Sequence, residues 1–168
     1  DRDGNPFVTH QIMLHAAERH SALILDFYIS EVERIGQTMS LSERLIKVSS
    51  DLEGLASTAP GLPASRIDEP YRRVFLGIHA RLIATSRHLG SSVRGCCQEN
   101  NAEPYADSAE FVHDLDIVIR SLRQHRSDRL AQGALRDLRR AADVFGFHLA
   151  PLDMRQHSKI HEQVISEL

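Results

Sequence analysis

Two short stretches of this 168-residue sequence concentrate the residue types that can hold a small anion. The first is Asp1-Arg2-Asp3-Gly4-Asn5-Pro6, in which a guanidinium is flanked by two carboxylates and Gly4-Asn5 lets the backbone turn tightly. The second is Leu152-Asp153-Met154-Arg155-Gln156. A guanidinium presents a planar fork of donors that fits a phosphate or a carboxylate, so Arg155 and Arg2 are the candidate anion-binding groups. Each stretch has a plainer alternative. Arg155 can pair with a neighbouring carboxylate such as Asp153, and the opening hexamer can be a turn carrying a solvated charge cluster.

The elements that would position these ends are helical. Pro6 biases Asn5 away from helix, and Thr9 can then cap a long helix. Ile12, Ala16, Leu23, Phe27 and Ile35 recur at spacings of three, four and their multiples and form its expected inner face, with Gly36 as its stop. Residues 39–48 read as an irregular connector. Ser50 caps a short helix, Asp51 to Ala56, and Ser57 to Pro70, with Pro60, Gly61 and Pro63, is a loop. Tyr71, Val74, Phe75, Ile78, Leu82 and Ile83 make one stripe of a second long helix that fades near Gly90. After a loop over Ser91 to Asp107, Ser108 and Glu110 open a third helix with Phe111, Leu115, Ile119 and Leu122 inward. A fourth runs from about Gln132 to Phe145 and stops at Gly146, and Ser158 caps a last one to Leu168.

The apolar period changes after Gly146. Phe147 to Leu152 is nearly continuous in apolar residues, which predicts a buried strand of the parallel type between Phe147 and Met154, although Pro151 would remove one ladder hydrogen bond. Arg155 then falls just past the carboxyl end of that strand, where barrel enzymes gather their reactive groups. One strand makes no sheet, so its partners must lie outside this sequence. The expected fold class is mainly α.

Composition narrows the function classes. Hydrophobic residues at 42% and charged ones at 26% are globular values and exclude a disordered tail. A formal net charge of -3 argues against nucleic-acid and anionic-membrane partners, and the absence of Trp leaves few stacking platforms. The only cysteines, Cys96 and Cys97, are adjacent and poorly placed to bridge, as suits a reducing cytoplasm. Apolar runs such as Ala22 to Leu25 end at Asp26, far short of the ~20 residues a membrane span needs. No signal peptide is visible, and the sequence lacks an initiator Met, as expected of an interior piece.

Other constellations point to structure rather than chemistry. His157 and His161 stand four apart beside Glu162, a spacing that can hold a transition metal, but a third strong ligand is missing. The arginines at 120, 123, 126, 129, 136, 139 and 140 are interleaved with Asp114, Asp116, Asp128 and Asp137, the pattern of a salt-bridged helix surface. The remaining histidines form no ligand set. A Gly-rich phosphate loop, a nucleophile elbow and a CxxC pair are all absent.

Taken together and in this order, the two ends resemble phosphoenolpyruvate carboxylase. Asp1 to Pro6 is similar to that family's Gly-Gly-Asp-Arg-Asp-Gly-Asn-Pro motif without its two glycines, and Asp153-Met154-Arg155-Gln156 is similar to its Asp-x-Arg-Gln motif. Glu69-Pro70-Tyr71-Arg72, Arg81-Leu82 and Leu138-Arg139-Arg140 extend the resemblance over the whole sequence; family members often carry Glu in the place of His157. The resemblance implies that residues 1–168 are one interior fragment of a larger (β/α)8-barrel enzyme with extra helices, contributing about one barrel strand and no complete catalytic domain. It implies substrate-binding roles for Arg155 and Arg2, and a supporting wall of Asp3, Asn5, Asp153 and Gln156. No catalytic residue and no metal ligand is expected within the fragment, which by itself should be inactive. For the intact enzyme it implies formation of oxaloacetate and phosphate from phosphoenolpyruvate and bicarbonate, with Mg or Mn held by carboxylates elsewhere. It also implies a cytoplasmic, allosterically controlled homotetramer. A free-standing helical module that binds an anion, a nucleic acid or a protein partner without catalysis is the alternative.

Overall fold

The computed structural model describes residues 7–42, 47–59, 68–90, 102–152 and 158–167. Among them are seven helices: α1 His10–Thr38, α2 Ser50–Ser57, α3 Pro70–His88, α4 Ser108–Gln124, α5 Asp128–Ala131, α6 Ala134–Phe145 and α7 Ser158–Glu167. Helix starts follow the local chemistry. Thr9 Oγ1 accepts from the Ile12 amide, Ser49 Oγ from Leu52, and an Asp107 carboxylate oxygen from Glu110 at 2.9 Å, each satisfying an amide left over in a first turn. Pro70 sits at the first position of α3, where its missing N–H costs nothing.

The core is built where α1 crosses α3, with α6 on α1 and α4, and α2 on α3 and α4. Tyr28, Tyr71, Phe75, Phe111, Leu82, Leu115 and Leu122 are among its fully buried side chains. The expected inner residues of α3 and α4 are buried, apart from Ile83, which is half-buried against the core. Gly36 is not the stop of α1. It lies inside the helix, buried, and a Cβ there would come within 2.9 Å of Phe75 Cβ, so the missing side chain is what lets α1 and α3 approach. The helix runs two residues further, to Thr38.

Two further expectations are corrected. Ile12, Leu23 and Phe27 of α1 are exposed; the face that packs is Ile24, Leu25, Tyr28, Ile29, Val32, Ile35 and Gly36. Helix α1 carries two apolar stripes, and periodicity alone does not say which one meets a neighbour. The expected strand between Phe147 and Met154 is not found among the described residues 147–152, of which 147–150 form turns and bends; 153 and 154 lie outside them. A strand's amides need a neighbouring strand, and the described residues supply none. Here the amides of His148 and Leu149 instead donate to the Phe145 carbonyl, and that of Ala150 to His148. The mainly α class stands.

Candidate functional site

Every residue singled out for substrate binding or as supporting wall falls outside the described residues: Arg2, Asp3 and Asn5 at one end, and Asp153, Arg155 and Gln156 at the other. So do His157, Cys96 and Cys97. What the fold does settle is how the chain is held shortly before the second motif.

Beside the second motif the chain forms an anchored hook. Helix α6 ends at Gly146, whose amide donates to the Ala142 carbonyl at 3.1 Å and whose φ of 53° and ψ of −143° belong to glycine. The Tyr28 hydroxyl, buried on α1, reaches the carbonyl oxygens of Gly146 at 2.9 Å and Ala141 at 3.0 Å. Burial drives the Tyr28 hydroxyl pKa far up, so it stays protonated as a donor. One residue on, the Phe147 ring lies 6.5 Å from Tyr28, 6.3 Å from Tyr105 and 6.2 Å from Phe111, centroid to centroid. The turn is thus gripped by a hydrogen bond before Phe147 and an aromatic cluster around it. Leu149, with φ of 61°, turns the chain again, and Pro151 and Leu152 emerge exposed.

The aromatic cluster is itself fixed by a charged clasp. Arg81 of α3 stacks over the Tyr105 ring, 3.8 Å from its centroid, and donates to Asp114 at 3.1 Å and to Glu110. The Tyr105 hydroxyl donates to the same Asp114 oxygen at 2.8 Å, and the Tyr105 amide to Thr85 Oγ1 at 2.8 Å. Burial raises the Asp114 pKa, working against the Tyr105 hydrogen bond and the Arg81 charge. Burial also tends to raise Glu110, but the Arg81 hydrogen bond, the Ala106 amide and the Arg81 charge together outweigh it and the net shift is downward. Sequence patterning had placed Arg81 only within a family-like pair; nothing local signals that Asp114, one of three acids on α4, would turn inward to meet it.

A cleft of about 420 Å³ opens beside the α1–α3 crossing, lined by Val32, Glu33, Gly36, Gln37, Arg72, Phe75, Leu76 and His79. Burial lowers the His79 pKa despite the nearby Glu33. Arg72 is already engaged, with Glu69 at 2.6 Å and with the carbonyls of Gly36 and Gln37 at the end of α1. Sequence reasoning did not find this cleft, since its lining comes from two helices far apart in the chain.

Among the described residues, no group of three or more His, Cys, Asp and Glu could hold a metal ion. The best-placed carboxylates, Asp114, Glu110 and Asp116, already serve Arg81 and Arg139. The described residues therefore do not fit a Mg or Mn site. Of the arginine run, Arg139 meets Asp116 at 3.1 Å and Asp143 at 3.0 Å, as a salt-bridged helix face should. No described helix is long and apolar enough to cross a membrane.

The described residues form a mainly α-helical body. The family model for phosphoenolpyruvate carboxylase matches residues 1–168. A phosphoenolpyruvate carboxylase of Nitrosomonas europaea is 99% identical over the whole chain, one of Nitrosomonas eutropha 84%, and one of Ralstonia nicotianae 46%. This chain belongs to the phosphoenolpyruvate carboxylase family. It spans only 18%, 18% and 17% of the length of those three relatives.

Proposed function

We propose that the protein carrying this chain is a carboxy-lyase that forms oxaloacetate and phosphate from phosphoenolpyruvate and bicarbonate, an anaplerotic carbon-fixing step feeding the tricarboxylic acid cycle. The observation that carries the proposal is the match of the family model along all 168 residues, with 99% identity to a relative bearing that name. In this reading Arg155 and Arg2 bind the substrate's phosphate or carboxylate as charge-assisted donors, while Asp3, Asn5, Asp153 and Gln156 brace the same wall. The hook at Gly146 and Phe147 supports the reading: it fixes the chain six residues before Asp153, so that the arginine-bearing segment starts from a rigid point.

The remaining parts of the activity lie elsewhere in the polypeptide. The helical body belongs to a larger (β/α)8-barrel enzyme, cytoplasmic, tetrameric and allosterically controlled. Its Mg or Mn offsets charge on an enolate when bound, and its ligands are not among the residues described here. Residues 1–168 alone catalyse nothing. The test is oxaloacetate formation by the purified full-length protein with phosphoenolpyruvate, bicarbonate and Mg. Activity in the full-length protein and none in residues 1–168 is expected. An inactive full-length protein overturns the activity, and turnover by residues 1–168, abolished by chelation, overturns the division of labour.

A further inference from the structure

The second apolar stripe of α1 is built like a packing face, and among the described residues nothing covers it. At 100° per residue, Ile12, Ala16, Leu23 and Phe27 fall within about 60° of one another, on a strip about 22 Å long. Ile12 is 52% exposed, Leu23 58% and Phe27 46%, while the core-facing stripe on the other side of the helix is buried.

We infer that this face is the seat of a further part of the same polypeptide, one lying outside residues 1–168. Its relatives supply that occupant: residues 1–168 make up only 18% of the Nitrosomonas europaea protein, so most of that polypeptide lies elsewhere. The size of the patch favours a tethered partner over a second copy. The exposed apolar side chains offer on the order of 300 Å², below the ~800 Å² per partner that a stable dimer buries. A segment of the same chain needs no such area, because covalent linkage holds its local concentration high.

Hydroxyl-radical footprinting of the wild-type full-length protein tests this without any substitution that might impair folding. Oxidation of Leu23 and Phe27 should be lost to the level of buried Tyr28 and Phe75, and the protection should persist when the protein is diluted until it is monomeric. Oxidation at the rate seen in the urea-unfolded protein would show an open face and overturn the inference. Protection that disappears on dilution would assign the face to a second copy and overturn it equally. The readout is exposure rather than turnover, so the proposed activity and this surface can fail independently.

Discussion

Gly146→Ala, compared with Gly133→Ala, tests whether the hook after α6 sets the position of the Asp153 to Gln156 segment. The two glycines have nearly the same backbone, φ 69° and ψ −131° at Gly133, φ 53° and ψ −143° at Gly146. Any side chain is strained there by about 1–3 kcal/mol. They differ in surroundings. A methyl on Gly133 meets nothing within 4 Å, whereas on Gly146 it comes within 2.9 Å of the His148 ring and 3.4 Å of Ser108 Oγ. His148 is exposed and can swing away, adding only ~0.5–1.5 kcal/mol if it leaves its preferred rotamer. Hydrogen exchange by mass spectrometry on the full-length protein reads the local opening free energy. Both variants should exchange roughly 5- to 150-fold faster around α6, with Gly146→Ala the faster. His148→Ala in the Gly146→Ala background should remove the excess. Only Gly146→Ala displaces the residues gripped by Tyr28 and the aromatic cluster, so only it should raise the apparent KM for phosphoenolpyruvate. Equal KM effects from the two variants, or faster exchange spread evenly over α2 and α4, would refute the reasoning.

Arg155→Ala removes a charge-assisted donor pair, which costs ~2–4 kcal/mol, and steady-state kinetics of the full-length variant should fall ~30- to 1000-fold in kcat/KM. Near-normal kinetics would leave Arg155 structural. Gly36→Ala forces a methyl against Phe75 Cβ at 2.9 Å and should cost ~1–3 kcal/mol, read as faster exchange in α1 and α3. Gly77→Ala, whose nearest neighbour is the Ala59 Cβ at 3.3 Å, should cost less. The Glu110 side of the clasp should loosen in acid. Glu110, lowered by Arg81 against the effect of burial, contributes above the ordinary carboxylate range, and the contribution is lost as pH falls through its lowered folded-state value. Asp114, raised by burial, runs the other way: its ionised form is disfavoured in place, so its contribution fades as pH rises through the raised value. The Glu110 part is read by comparison: exchange of residues 102–110, corrected for the intrinsic pH dependence, should quicken less below the ordinary carboxylate range in Glu110→Gln than in the wild type. An unchanged acid limb in Glu110→Gln would remove Glu110 from the clasp.

The sequence by itself determined six of the seven described helices, missing the short α5, and the family. Caps, prolines and apolar spacing act within a turn or two, so Thr9, Pro70, Ser108 and Gly146 mark their boundaries without help from the rest of the chain. Motifs at the two ends carried the family for the same reason: they are short, ordered strings. Tertiary structure decided everything that depends on a neighbour. Helix α1 offers two apolar stripes, and α3 and α6 chose the one through Tyr28 and Val32 over the one through Leu23 and Phe27. Gly36 looks like a stop in one dimension and becomes a contact in three, because Phe75 lies across it. The run from Phe147 to Leu152 has the composition of a strand, but a strand is a relation between two segments. With no second segment among the described residues, its amides turn back on Phe145 and His148, and Phe147 enters the helical core.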